Sequence, residues 1–334
     1  MNAPVFGLNV ELEACPPGGE PATAEPAADV RVILGWLGPR QPPGEERQCL
    51  TYRSPATARS GSPVLLVYRW DTGEHLFQYH DGTRFVVSAD LRQVFATWSA
   101  PSVMEDTLVY LFGPVLAFIL RRRGTVCLHA SGVEIDGKAV LLLGPHGAGK
   151  STLAAAFARR GRPILPDDLA PLHERAGSFH VPPGRPRVLL WASAVESLWG
   201  DAGALPQVSP AWSKRFLDLC GPGLQFCPAP LPLGAVYILE RRDDQASQPR
   251  FKPVRGNAAL VHFVANTYGN YLLTPELRAA ELHVLCRLLT QVPVRRLQSA
   301  TDASRLPALC EALEADYRGL GSTRMPSRAR SAAE

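Results

Sequence analysis

The sequence predicts an α/β fold: a P-loop core preceded by a small N-terminal β-rich domain. Three observations lead there. The apolar run Lys138–Leu143 enters a glycine-rich loop, Gly144–Ser151, that a helical stretch, Ser151–Arg160, follows. The first hundred residues hold short β-like runs between Pro/Gly/Ala stretches. Beyond the loop, helical and strand-like patterns alternate. The boundaries expected are 1–100 for the β-rich domain, 101–318 for the core and 319–334 for a polar, disordered tail.

Composition sets limits. With 46% hydrophobic and 20% charged residues, the chain is globular rather than disordered. A net charge of +4 over 334 residues gives no argument for a nucleic-acid partner. The seven cysteines are odd in number, irregularly spaced and without C-x-x-C, which predicts free thiols in a reducing cytoplasm. The opening residues lack the basic and apolar regions of a signal peptide. Leu108–Leu120 is the most apolar stretch, but it falls short of the ~20 residues a membrane helix needs and contains Gly113-Pro114. A buried helix, Met104–Arg122, is expected there, with Arg121, Arg122 and Arg123 suiting its negative C-terminal end. No membrane partner is expected.

In the N-terminal part, strands are expected at Val30–Trp36, Val64–Trp70, His75–Tyr79 and Arg84–Ser88, between Pro/Gly/Ala stretches at Pro16–Ala28, Gly38–Glu45 and Ser54–Pro63. His80-Asp81-Gly82-Thr83 carries a hairpin signal. Between Val126 and Leu143 three strands are expected, with His129 near the end of the first and Asp136-Gly137 as a type I′ turn between the other two. Ile164-Leu165 is a further short strand, closed by Pro166. Val188–Trp199, Trp212–Leu219, Ala258–Asn266, Pro275–Gln291 and Ser304–Tyr317 read as helices, and Gly234–Leu239 and Val292–Leu297 as strands.

Gly144-Pro145-His146-Gly147-Ala148-Gly149-Lys150-Ser151 fits G-x-x-x-x-G-K-[ST] in full. Glycines let backbone N–H groups turn toward phosphate oxygens, the lysine reaches the β/γ-phosphates and the serine hydroxyl ligates Mg²⁺. The helix behind directs its positive N-terminal end at the same place. The nucleotide-binding set is therefore Gly144 through Ser151, with Thr152 beside it. The loop reads phosphates and not the base, so ATP against GTP stays open. His146 is a spacer with some nucleotide contact.

Asp167-Asp168 closes the Ile164-Leu165 strand. An acidic residue at a strand end holds Mg²⁺ in P-loop enzymes, and two adjacent carboxylates can divide proton transfer and metal binding between them. Adjacent side chains on a strand point to opposite faces, so both serve one site only if the strand ends there. A solvated acidic turn is the alternative. His129 is a third candidate, although a single histidine is more often an ordinary polar residue. Lys214 and Arg215 could neutralise phosphoryl charge or an acidic peptide, or could be an exposed basic pair.

The run LHASGVEIDGKAVLLLGPHGAGKSTLAAAFARRGRPILPDDLAPL, Leu128–Leu172, resembles the catalytic core of the HPr kinase/phosphorylase family, itself similar to ATP-dependent phosphoenolpyruvate carboxykinases. A histidine, a β-hairpin, the P-loop, a helix ending in Arg-Gly and an Asp-Asp pair follow in that order. The wider chain looks closest to HPr-kinase-related proteins beside ribosomal peptide genes, including lasso-peptide precursor serine kinases. The Phe6-Gly7-Leu8 opening, the Leu111–Leu120 helix and Ser213-Lys214-Arg215 carry that likeness. The resemblance implies an HPr kinase/PEP carboxykinase-like core using ATP and Mg²⁺ to phosphorylate a serine of a peptide or small protein. Asp167 would be the general base and Asp168 with Ser151 would organise Mg²⁺. Lys150 would hold the transferred phosphate, and His129 would support the site. The chain departs from the bifunctional kinases in carrying Thr152 where they have an acidic residue, and in lacking their C-terminal signature. Phosphorolysis does not follow from the resemblance, and a homo-oligomer remains open.

Two other functions fit the same residues. One is a kinase of a small hydroxylated metabolite such as free serine. The other is a nucleotide-gated binding or assembly module with slow ATPase activity. No LSGGQ-like signature and no N-K-x-D motif occur, which argues against an ABC-type ATPase and a GTPase.

Overall fold

The computed structural model describes residues 2–15, 28–35, 47–210, 212–240, 248–300 and 302–322. The Pro/Gly-rich stretches 16–27 and 36–46, and the tail from 323, lie outside the described residues.

The N-terminal residues form one sheet of eight strands. These are β1 (Asn2–Val5), β2 (Leu8–Ala14), β3 (Val30–Leu34), β4 (Gln48–Arg53), β5 (Leu65–Trp70), β6 (His75–Tyr79), β7 (Arg84–Val87) and β8 (Gln93–Thr97). Their order is β1-β2-β3-β8-β7-β6-β5-β4, with β2–β3 and β3–β8 parallel and the other pairs antiparallel. Each of the four strands expected here has a counterpart among the described residues, the first as Val30–Leu34 with Trp36 outside them, and the β6–β7 turn holds Gly82 at φ 87°. The inner face buries Val67, Phe77, Phe85 and Val94 against one long helix. That helix runs as α1 (Met104–Tyr110), a π-helical turn Leu111–Val115, and α2 (Leu116–Arg122). The π turn falls where Pro114 lacks the N–H that a regular turn needs. Phe118 packs edge-on to Phe77, ring centroids 5.2 Å apart. The helix assigned by sequence to the core thus completes the hydrophobic face of the N-terminal sheet.

The arginines at its end do more than meet the helix dipole. Arg121 is buried in an ion pair with Glu281 of α6 (Pro275–Gln291). Arg123 donates to the carbonyls of Asp29 (2.9 Å) and Leu91 (3.0 Å), tying the helix to its sheet.

The second sheet contains β9 (Val126–Leu128), β10 (Ala130–Ile135), β11 (Lys138–Leu143), β12 (Ala170–Arg175), β13 (Ser178–Val181) and β16 (Leu231–Leu239), in the order β10-β11-β16-β13-β12-β9. β18 (Val294–Gln298) adds to β16, and β17 (Arg250–Pro253) adds to β18. β11 and β16 are parallel, so their C-terminal ends open on the same side. Asp136 (φ 52°) and Gly137 (φ 76°) make the β10–β11 turn with both residues left-handed, as a type I′ turn requires. α3 (Lys150–Arg159) packs with α7 (Leu306–Ser322) on one face of this sheet, and α5 (Gly256–Ala265) with α6 covers the other.

Four expectations are corrected. Arg187–Trp191 is a strand, β14, and only Ala192–Trp199 is helical, α4; Lys214–Asp218 is β15, not a helix. β14 and β15 pair antiparallel, with Leu189 opposite Phe216, and bury alternate residues Val188, Leu190 and Leu217 against α3. Period-2 burial decided what a short apolar run left ambiguous. Ile164 forms only single bridges, to Val133 and Phe226, rather than a strand. The expected tail begins too early: α7 continues through Gly319 to Ser322. All seven cysteines are free, and among the described residues no helix is long and apolar enough to cross a membrane.

Candidate active site

β11 is buried along Ala139–Leu143 and delivers the chain to the phosphate loop beside the end of β16. Gly144 adopts φ 153°, and a Cβ there would stand 2.8 Å from the Leu239 carbonyl oxygen, so the close approach of the two strand ends requires glycine. Gly149, at φ 95°, turns the loop into α3 and precedes it without a side-chain cap. The first N–H groups of α3 therefore have no partner within the helix, which is the arrangement that suits an anion at the loop. Lys150 is buried; its Nζ folds back to donate to the carbonyls of Gly144 (2.8 Å) and Pro145 (3.1 Å). Burial lowers its pKa, opposed by the charges of Asp168 and Asp167.

The two aspartates meet this loop in different ways. Asp167 accepts from Ser131 Oγ (2.6 Å) and Ser151 Oγ (2.9 Å) through Oδ1, and from the Leu189 N–H (3.0 Å) through Oδ2. Burial pushes its pKa up, against those hydrogen bonds. Asp168 takes φ 73°, an uncommon conformation for a side-chain-bearing residue, which ends the extended run there. Asp167 meets the loop through Ser151, and Asp168 lines the cleft. His129 Nε2 lies 3.1 Å from Asp168 Oδ1, and the Tyr268 hydroxyl donates to Oδ2 at 3.2 Å. Burial raises the Asp168 pKa, but the His129 hydrogen bond and charge, Lys214 and Tyr268 together outweigh it and leave the carboxyl below its ordinary value.

A cleft above the loop is lined by His129, His146, Gly147, Gly149 through Thr152, Asp168, Leu189 through Trp191, and Lys214. Lys214 Nζ stands 5.1 Å from the centre of the Trp191 ring, and His146 packs edge-on to the same ring. Burial, then Lys214, lowers the His146 pKa. Of the basic pair, Lys214 faces the cleft and Arg215 does not: neighbours on β15 point oppositely, and Arg215 Nη1 donates to the Leu205 carbonyl at 2.8 Å. On the other side of the loop, Ala148 and Gly149 wall an apolar cavity of about 150 Å³ with Leu239, Leu297, Leu306 and Leu309.

Sequence reasoning missed Ser131, Tyr268 and Trp191. Ser131 had a usable signal, since it lies two residues beyond His129 and so on the same side of an extended chain. Tyr268 sits in a loop after α5, a hundred residues from the carboxylate it touches, and nothing local marks it.

No family model matches the chain, and no curated protein matches it. Among solved structures it is similar to the Hpr(Ser) kinase/phosphatase from Coxiella burnetii, at 14% identity and a TM-score of 0.34, over 59% of this chain and 98% of that one.

Proposed function

We propose that the chain is an ATP- and Mg²⁺-dependent phosphotransferase that acts on the serine hydroxyl of a peptide or small protein. The observation that carries this reading is the convergence of Ser151, Lys150, Asp168, His129 and Lys214 on one cleft over a complete phosphate loop.

The geometry favours exchanging the carboxylate roles that the family resemblance implies. Asp167 already accepts three hydrogen bonds and does not line the cleft, whereas Asp168 does. In this reading Asp168 is the general base. It takes the proton of the acceptor hydroxyl as that oxygen bonds to the γ-phosphorus; the bond to the bridging oxygen breaks and ADP leaves with its electron pair. His129 and Tyr268 hold the Asp168 carboxylate in place. Lys150, Lys214 and the N–H groups opening α3 offset the negative charge that develops on the transferred group.

Ser151 Oγ lines the cleft and is a hard oxygen donor of the kind Mg²⁺ takes, and Asp167 Oδ1, 2.9 Å behind it, would orient that hydroxyl. One hydroxyl with a carboxylate behind it suits an ion that keeps water and phosphate as its remaining ligands. Bound there, Mg²⁺ would neutralise phosphate charge. The nucleobase is assigned to the apolar cavity beyond Ala148, whose leucine walls suit a flat ring.

The sequence resemblance makes a ribosomal, lasso-type precursor peptide the first acceptor to try. Intact-mass spectrometry after incubation with Mg²⁺, ATP and serine-bearing peptides tests the reading. A mass gain of one phosphate on serine supports it. ATP consumption without any acceptor gain moves the weight to a nucleotide-gated module.

A further inference from the structure

A second, larger cleft opens onto the same catalytic residues. Its volume is about 530 Å³, against about 90 Å³ for the cleft over the phosphate loop, and the two share His129, His146, Asp168, Leu189 and Lys214. The smaller one includes the loop and therefore belongs to the phosphate donor. The larger one also reaches Asp168 and extends from it to the N-terminal sheet, so an acceptor seated there can bring its hydroxyl to that carboxylate.

Its walls come from parts of the chain far apart in sequence. The N-terminal sheet supplies Tyr52 and Tyr79, the long helix Tyr110, the loop after α5 Tyr271, and the segment before β15 Trp212. Tyr52 and Tyr271 stack with centroids 4.1 Å apart, and Tyr79 and Tyr110 stack at 3.8 Å. Trp212 meets Tyr110 edge-on at 5.7 Å, while the Tyr110 hydroxyl is held by Asp81 at 3.0 Å. These rings are fixed by one another before any ligand arrives, so ordering them costs a ligand little. Tyr271 remains 36% exposed, leaving ring surface to cover.

Free serine would leave most of this volume empty and has no apolar side chain to set against an aromatic wall. An extended peptide would fill it, with its hydroxyl at Asp168 and a neighbouring large apolar side chain against the rings. We propose that this cleft between the N-terminal sheet and the phosphate-loop core is the acceptor site, and that it takes a peptide segment whose serine is flanked by an aromatic or large aliphatic residue. The proposal rests on the phosphotransferase reading above and makes the N-terminal sheet the part of the molecule that selects the acceptor.

The test is a serine-centred peptide library, degenerate at each flanking position, phosphorylated by the full chain with Mg²⁺ and ATP, with free serine in parallel and nucleotide binding measured separately. The expected result is enrichment of Phe, Tyr, Trp or Leu at one neighbouring position, and a kcat/KM for free serine at least about a hundredfold below that of the selected peptide. Tyr271→Ala, at a partly exposed position, should raise KM for that peptide about tenfold with kcat unchanged, and Tyr271→Phe should restore it. Transfer to free serine as efficient as to peptides, or transfer with no flanking preference, would overturn the acceptor cleft and leave the kinase reading standing. No transfer to any acceptor by protein that binds nucleotide would overturn both.

Discussion

Replacing Asp168 with asparagine keeps the shape of the side chain and removes the charge and basicity proposed to activate the acceptor. The amide oxygen of the substituted side chain can still accept from His129 or Tyr268, which in the native protein stand 3.1 and 3.2 Å from the two carboxylate oxygens, so the fold should survive. A positioned general base contributes about 10²–10⁴-fold, or about 2.7–5.4 kcal/mol of barrier at 1.36 kcal/mol per decade. Among the described residues Asp168 makes no hydrogen bond to the phosphate loop, whose lysine is held instead by the Gly144 and Pro145 carbonyls. Nucleotide affinity should therefore stay within about threefold of wild type, since only a screened charge is lost. Single-turnover transfer followed by mass spectrometry gives the rate, and a fluorescent-nucleotide titration gives the affinity. Full-rate transfer by Asp168→Asn, with transfer lost in Asp167→Asn at undiminished Mg²⁺ affinity, would refute the reasoning and return the base to Asp167.

The other predictions concern separable parts of the structure. Because burial raises the Asp167 pKa, its contribution to stability is present below the ordinary carboxylate value of about 3.9 and is lost as pH rises through the higher folded value. The Tm of Asp167→Asn relative to wild type should therefore climb over that interval, and a difference independent of pH would contradict the burial account. Arg121→Met leaves Glu281 buried without its partner and should cost about 3–5 kcal/mol in urea unfolding, with Arg121→Met/Glu281→Met costing less. Lys214→Ala should slow transfer at least about tenfold, whereas Arg215→Ala, outside the cleft, should leave the transfer rate unchanged. Ala308→Trp, filling the apolar cavity beside the loop, should weaken ATP binding at least about tenfold while sparing inorganic tripolyphosphate; equal losses for both would remove the base from that cavity.

The phosphate loop was legible because three local signals coincide: a strand apolar and buried from Ala139 to Leu143, glycines at fixed spacing and a helix behind. The Asp136-Gly137 turn was legible because both φ values it needs are open to that pair. β14 and β15 were not, since Val188–Trp191 and Phe216–Leu219 are too short for their period to declare itself, and only pairing with each other fixes it. The different surroundings of Asp167 and Asp168 were hidden for another reason. Adjacent carboxylates are interchangeable in sequence, and only the fold places Asp168 on the cleft and Asp167 behind Ser151. The aromatic cleft joins residues from 52 to 271, so no local pattern could announce it.

The central claim is direct transfer of the terminal phosphoryl group to a serine hydroxyl. ATP labelled with ¹⁸O on all γ-phosphate oxygens, incubated in single turnover with the protein, Mg²⁺ and a serine peptide carrying a flanking aromatic residue, tests it most directly. The account predicts phosphoserine that gains the three non-bridging labelled oxygens and keeps its own seryl oxygen. Labelled inorganic phosphate alone, with the peptide unchanged, would contradict it.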